Sequence, residues 1–292
     1  MKRSICALSG ILALTLAISC AREGAVTPVV VLAVGDVQVK ALEGEYTPAK
    51  VSRVIVKGDV IKTGPLSHVT IQMGERGIVQ VLPNSSIEAV TLFESGESEL
   101  NLFHGTVLSR IDKLGKSEDF RVKTPTAIAA VRGTIFSVSY DRGTGTVGVS
   151  RGRVEVTETV SGKAGEVTQG KAVDVKAGIT ARGLTKTESL VLSKAEAVNY
   201  IEGIRTMAPG ALEEKGKSFL PALEKIDEEI KDPPPATMEE IKAKYGRIDV
   251  VTLYSGKVYR GAIISRGAIL RIRTTEGTVE VPNEKVKSTV TQ

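Results

Sequence analysis

Tryptophan is missing from all 292 residues, and aromatic side chains make up only 4% of them. Sugar-binding faces are commonly built by stacking on aromatic rings, so this composition weighs against glycan recognition. Histidine occurs twice, at His68 and His104, each in a strand-like context without cysteine or carboxylate at metal-ligand spacing. Both read as structural, and no metal, cofactor or catalytic residue is expected. No phosphate-binding glycine loop or serine elbow occurs, because the glycine-rich phrases open strands rather than helices. Enzyme activity is therefore not expected. Beyond residue 18 no apolar run reaches the ~20 residues that span a bilayer. Charge of one sign is lacking too. The formal net charge of +5 falls to +3 if Lys2 and Arg3 are removed. Without clustered Lys and Arg this is an ordinary solvated surface rather than a nucleic-acid footprint.

Cysteine is as scarce, with only Cys6 and Cys20. Their positions carry more information than their number. Lys2 and Arg3 form a basic n-region, Ile5 to Ile18 an apolar h-region, and Ala17-Ile18-Ser19-Cys20 follows. The h-region is too short for a membrane span and reads as a secretory signal over residues 1–19. Small residues before a cysteine resemble the bacterial lipobox, although Ala17 stands where leucine is usual. The alternative is an ordinary signal peptide ending near a cysteine. The lipobox reading is favoured because Cys6 lies in the discarded segment, leaving Cys20 as the acyl acceptor. Residues 20–28 are then a lipidated tether, and no disulfide is available even in an oxidising compartment. Stability must come from core burial. The acyl chains, at ~0.8 kcal/mol per buried methylene, would hold the protein to an inner or outer membrane of the bacterial envelope.

Residues 29–183 are rich in Val, Ile, Thr and Gly, in short alternating runs separated by turn residues. Val37–Val39, Val54–Val56, Val60–Lys62, Val69–Met73, Val79–Val81, Leu100–Leu102, Val107–Ser109, Val147–Val149, Val154–Val156 and Val173–Val175 each predict a strand. A phrase of glycine, any residue and a β-branched residue recurs at Gly35, Gly58, Gly105, Gly133 and Gly152, and loosely at Gly170. These glycines are expected to supply positive φ or close approach at strand starts. The chain is mainly β, and either a β-solenoid-like roll or an irregular sandwich fits.

The stretch from Phe120 to Tyr140 is the most distinctive. A strand stops at Thr124-Pro125, and a small-residue run leads to Val131-Arg132-Gly133-Thr134. A second strand then alternates through Ile135, Phe136, Val138 and Tyr140. This resembles the core signature of the FecR domain family. Gly58-Asp59-Val60-Ile61-Lys62-Thr63-Gly64, the turn Pro83-Asn84-Ser85-Ser86-Ile87, the step Leu102-Phe103-His104-Gly105-Thr106-Val107 and the closing Val149-Ser150-Arg151-Gly152-Arg153-Val154-Glu155-Val156 resemble further phrases of that family in the same order. The resemblance implies a non-catalytic envelope module. FecR-type regulators join such a module through one membrane helix to a cytoplasmic segment that holds a sigma factor. A lipobox in place of that helix argues against direct anti-sigma activity. Arg132, Gly133 and Thr134 are read as a partner-binding or structural signature. Arg132 could reach a carboxylate ligand or cap neighbouring carbonyls. Asp36 and Asp59 read as turn caps.

Residues 184–246 change period. Ser193-Lys-Ala-Glu196 fits a capping box, followed by Ala197, Val198, Ile201 and Ile204 at helical spacing until Pro209-Gly210. Leu212, Phe219, Leu220, Leu223, Ile226 and Ile230 form a second stripe, with Pro221 as kink or helix start. Pro233-Pro234-Pro235 is a stiff linker, and Thr237 to Glu240 caps a short helix. This region is expected to pack on a neighbouring domain or to act as a spacer. Residues 247–292 return to strands with turns at Ser255-Gly256, Arg266-Gly267 and Glu276-Gly277, and resemble a small SH3-like or Sm-like β-barrel.

Two functional classes remain open on sequence. One is a lipid-anchored interaction or sensing module with an envelope protein partner. The other is a peptidoglycan-binding accessory protein.

Overall fold

The computed structural model describes residues 27–292 except 95, 96, 113, 115–117, 177, 234 and 236. The signal segment, Cys20 and most of the tether lie outside the described residues. Among the described residues no helix is long and apolar enough to cross a membrane.

The first strands are β1 (Pro28–Val34), β2 (Val37–Lys40), β3 (Tyr46–Pro48), β4 (Val60–Thr63), β5 (His68–Met73), β6 (Gly77–Val81), β7 (Ser85–Glu94) and β8 (Glu97–Ile111). They are followed by β9 (Asp119–Lys123), β10 (Ala127–Val131), β11 (Thr134–Asp141), β12 (Thr144–Arg151), β13 (Arg153–Glu158), β14 (Ala164–Thr168), β15 (Lys171–Val175) and β16 (Ala181–Gly183). Of the two architectures open on sequence, this is the irregular sandwich. One layer contains β1, β5, β6, the second half of β8, β11, β12, β15 and β16. The other contains β3, β2, β4, β7, the first half of β8, β9, β10, β13 and β14. The pairing of β8 with β9 is parallel, and the other pairs are antiparallel.

The two inner faces meet in one apolar core that includes Val39, Ile61, Leu102, Phe120 and Val156 on one side and Val69, Val81, Phe136 and Val147 on the other. Phe120 and Phe136 touch edge to face with ring centroids 6.3 Å apart. Each time the chain passes from one layer to the other it must turn sharply. Five of these corners fall at Gly35, Gly105, Gly133, Gly152 and Gly170, all at positive φ, as the recurring phrase predicts. Two others are Pro-x-Ser turns, at Pro65-Leu66-Ser67 and Pro83-Asn84-Ser85, with Leu66 and Asn84 at positive φ. The two kinds of corner interlock. Ser67 Oγ accepts the Asp36 N–H at 2.8 Å beside Gly35, and Ser85 Oγ accepts the Thr106 N–H at 2.9 Å beside Gly105.

Four helices follow: α1 (Lys186–Ala197), α2 (Pro209–Lys217), α3 (Leu220–Lys231) and α4 (Met238–Tyr245). They explain why β5 and β6 are buried almost throughout, whereas β9 and β10 alternate. The outer face of the first layer is covered: Ile201, Ile204 and Leu212 pack on Val29 and Val31, Val198 and Leu223 on Leu32 and Ile78, and Ala195 on Leu108 and Ile135. Helices α1 to α3 and the segment between α1 and α2 thus pack against the sandwich as a third layer, whereas α4 lies against the C-terminal strands.

Several local readings are corrected. Helix α1 starts eight residues before Ser193, at the N-cap Thr185, whose hydroxyl and Glu188 form the capping box. Ser193 sits inside the helix and donates to the Leu190 carbonyl at 2.7 Å. The earlier start wins because it lays Leu192 and Ala195 on the sheet. Residues 198–208 are not α-helical. Gln72 holds both backbone groups of Ile201, donating to its carbonyl and accepting its N–H at 2.9 Å each, and so takes the places of helical partners. Pro209 opens α2 instead of ending a helix, and Pro221 begins α3. Thr237 caps α4 as expected. Val54–Val56 is a single bridge to Val29 followed by a turn, not a strand. Asp59 does cap that turn, accepting from the Val56 N–H at 3.2 Å; Asp36 instead accepts from the Gln38 side chain.

The C-terminal strands are β17 (Asp249–Leu253), β18 (Val258–Ser265), β19 (Ile269–Thr274), β20 (Gly277–Pro282) and β21 (Val286–Thr291). Their order is β20-β19-β18-β17-β21, so β20 and β21 are both edges and the expected barrel does not close. A register shift between Ile263 and Ser265 bends β18. The sheet has its own core of Val251, Leu253, Ile263, Leu270, Ile272 and Val281.

Candidate functional site

The Arg132 signature forms the corner between β10 and β11. Thr134 is buried, and its hydroxyl donates to the Arg153 carbonyl at 2.9 Å. A Cβ on Gly152 would lie 2.8 Å from the Gly133 carbonyl oxygen, so the two glycine corners rest on each other. Gly133 and Thr134 are therefore framework. Arg132 is exposed and makes no hydrogen bond among the described residues, so it does not cap carbonyls as one reading held. It lines a shallow cleft of about 410 Å³ with Asp119, Arg153, Glu155 and Glu166. Arg153 pairs with Glu166 at 3.4 Å and Asp119 accepts from Arg121 at 2.7 Å, which leaves Arg132 as the uncommitted cation of the cleft. The cleft thus combines one free guanidinium with carboxylates, of which Asp119 and Glu166 are already paired. It offers no nucleophile, and among the described residues no group of His, Cys, Asp and Glu is placed to hold a metal.

A second cluster lies between the sandwich and the helices, and sequence reasoning missed it. His68 on β5, Lys194 on α1 and Asp227 on α3 line a cavity of about 350 Å³ with Leu66, Pro83, Glu224, Glu228 and Lys231. Lys194 is buried and donates to Asp227. His68 Nε2 is buried with no partner among the described residues. These groups come from three elements far apart in sequence, so no spacing could reveal them. His104, by contrast, is surface-exposed, 3.7 Å from Asp141.

Burial, and then the Lys194 charge, hold the His68 pKa below its ordinary 6.5, with Asp227 opposing. A histidine kept neutral in the fold takes up its proton more readily when unfolded. Its neutral form therefore supports stability fully above 6.5, and that support is lost as pH falls from 6.5 toward the lowered folded value. Thermal melts between pH 7.5 and about pH 5 should show the wild type losing Tm through this window and His68→Gln losing less. Parallel curves for the two proteins would exclude the assignment.

Two ionic latches tie the helices to the sheet. Arg182 bonds both Asp174 and Glu188, joining β15 to the start of α1. The Arg182 hydrogen bonds, outweighing burial, hold both carboxyls below the usual range. Asp112 accepts from Arg110 at 2.7 Å and from Arg151. Arg110 also donates to the Val198 carbonyl and lies over the Tyr200 ring. Burial raises the Asp112 pKa, but these guanidinium contacts bring it below the ordinary value.

The profile of the family described as FecR protein matches residues 59–155, about a third of the chain, from the turn before β4 to β13. No protein of curated function matches the chain in sequence. Two crystal structures of a Parabacteroides distasonis ATCC 8503 protein, assigned there to the anti-sigma factors, are similar to part of it. Both are 17% identical, with TM-scores of 0.40 and 0.39 over 46% and 47% of this chain. The chain spans less than two thirds of either one, 64% and 62%.

Proposed function

We propose that this chain is a lipid-anchored, non-catalytic interaction or sensing module of the bacterial cell envelope, facing the periplasm or the surface. The observation that carries the reading is the FecR-protein match over residues 59–155, which lies within the two-layered β core and covers β4 to the middle of β13. Around that core the functional surface is polar and shallow. Arg132 is the residue of the signature that is free to meet an envelope protein partner through a carboxylate. Anchoring is assigned to Cys20, after the h-region that ends at Ala17-Ile18-Ser19.

Cys20→Ser is expected to move the protein from the membrane fraction to the soluble fraction, or to leave it uncleaved. The wild-type N-terminal peptide should carry the mass of acyl chains. Unchanged fractionation together with an unmodified peptide would overturn the anchor. A photoreactive residue placed at Arg132 in cells should capture a discrete envelope protein, and the same probe at Val160 should not.

A further inference from the structure

The described chain begins beside a turn that exposes apolar side chains. Pro28 offers its carbonyl to the Ile55 N–H at 2.9 Å, and Val29 bridges Val54. The residues on either side of Ile55 point outward: Val54 is 44% exposed and Val56 is 54% exposed. Leu42, 72% exposed on the β2–β3 connection, lies over Gly58, where an added Cβ would come within 3.0 Å of its Cδ1. The Val56–Asp59 turn, closed by the Asp59 N–H to the Val56 carbonyl, thus forms one apolar tip with Leu42, and Lys57 sits within it. On the adjoining β2, β3 and β4 surface the ammonium groups of Lys40 and Lys62 lie 5.9 and 4.4 Å from the Tyr46 ring centroid.

This is the composition of a bilayer interface. It has aliphatic tips, one ring able to sit at headgroup depth, and lysines whose stems stay apolar while their charges reach phosphate. Glu43 and Glu45 on the same hairpin reduce the basic excess, so apolar insertion rather than charge is the main contribution.

We infer that the tip formed by Leu42, Val56 and Lys57 is a second membrane contact that lays the sandwich against the bilayer in one orientation. The inference rests on acylation at Cys20. Its further support is the reach of the tether: the residues from Cys20 to Thr27, at ~3.5 Å each, span at most about 25 Å. The chain then joins the fold at the residue bonded to Ile55. An acyl anchor therefore holds this tip within a short distance of the headgroups, and a surface so tethered needs little affinity of its own. The anionic and zwitterionic lipids of a bacterial membrane are the occupant, and capture of a protein at the same tip is the competing outcome.

The absence of tryptophan makes the test direct, since one introduced indole is the only one in the protein. Leu42→Trp, Val56→Trp and Val160→Trp should each be made in the full acylated chain. They are then reconstituted into vesicles of phosphatidylethanolamine and phosphatidylglycerol with brominated acyl chains. Val160, 88% exposed, lies in the connection to β14, the opposite edge of the layer from β3. The indoles at positions 42 and 56 should shift to the blue and be quenched at least about twofold more than the one at position 160. Equal, weak quenching at all three positions, with acyl mass present on the N-terminal peptide, would overturn the contact and leave the anchor standing. An unmodified N-terminal peptide would overturn the anchor and the contact with it. Protection of positions 42 and 56 by a co-purifying protein, without lipid quenching, would assign the tip to a protein and reject the bilayer.

Discussion

Gly105→Val should be among the most destabilising single changes in the sandwich, by roughly 3–5 kcal/mol, from strain at positive φ and overpacking together. Gly105 marks the point where β8 leaves one layer and enters the other. Its φ is +92°, and an added Cβ would fall 2.1 Å from Ser85 Oγ and 2.6 Å from Ser85 Cα. The obstacle is partly backbone, and Ser85 cannot swing away without releasing the Thr106 N–H that it accepts. Gly133→Val is the internal comparison. Its φ of +154° also disfavours a β-branched residue, but the nearest atom to a new Cβ is the Ile111 carbonyl oxygen at 4.0 Å. That variant should lose only about 1–3 kcal/mol, from backbone strain alone. Thermal melts should therefore rank Gly105→Val well below Gly133→Val, with a gap on the order of 10 °C or less. Equal Tm values would mean that the Ser85 corner can open freely.

The same corners explain how much of the fold could be read from the sequence. A glycine shortly before a β-branched residue marks a place where the chain takes positive φ, which a residue without Cβ adopts at least cost, and this requirement is local. The Pro-x-Ser turns are local too, and the resemblance to FecR phrases follows both kinds of corner around the sandwich. What joined them was not legible. Ser67 meets Asp36 and Ser85 meets Thr106 through contacts between distant segments, which periodicity does not encode.

The helical layer departs from its local sequence pattern where tertiary contacts override it. Thr185-x-x-Glu188 and Ser193-x-x-Glu196 carry equivalent capping signals, and burial of Leu192 and Ala195 selects the first. Ile201 and Ile204 have helical spacing, yet they are buried from a non-helical segment because Gln72 supplies the hydrogen bonds. Their burial was legible and their conformation was not. The barrel expectation failed in a similar way: five strands with turns at the right places fix neighbours, but closure depends on β20 meeting β21, and those two strands remain edges.

The candidate site divides along the same line. Within Arg132-Gly133-Thr134 the sequence joins a framework pair to a free cation, and only the structure separates them. Thr134 bonds Arg153 across the corner, Gly133 lies under Gly152, and Arg132 faces the cleft. The His68 cluster had no sequence signal at all. It places an imidazole whose pKa is held low beside the buried Lys194 where the helical layer meets the sandwich, and the expected loss of Tm in mild acid tests that contact.

Asp249→Ala should unfold the C-terminal sheet while leaving the sandwich intact. Asp249 is fully buried at the start of β17 and holds three neighbours. It accepts the Ile263 N–H at 2.8 Å and the Thr291 hydroxyl at 2.5 Å, and it pairs with Arg247 Nε at 3.2 Å. One carboxylate thus ties β17 to β18, to the end of β21 and to the linker from α4. Removing it leaves the buried Ile263 N–H without its carboxylate partner, while the half-exposed Arg247 keeps its bond to the Ile263 carbonyl, a loss of about 2–3 kcal/mol. A sheet with a six-residue core has little stability beyond that amount. The wild type should be cut by protease first between Asp232 and Ala236 and release a folded C-terminal fragment. Asp249→Ala should yield a fragment that is degraded on release, while the melt of the remaining chain stays unchanged. A single cooperative transition that moves as a whole in Asp249→Ala would show instead that the C-terminal strands and the sandwich unfold as one body. Contacts that cross between them among the described residues, such as Arg273 to Asp232 at 3.4 Å and Lys186 to the Thr275 carbonyl at 3.4 Å, would then help to couple the two.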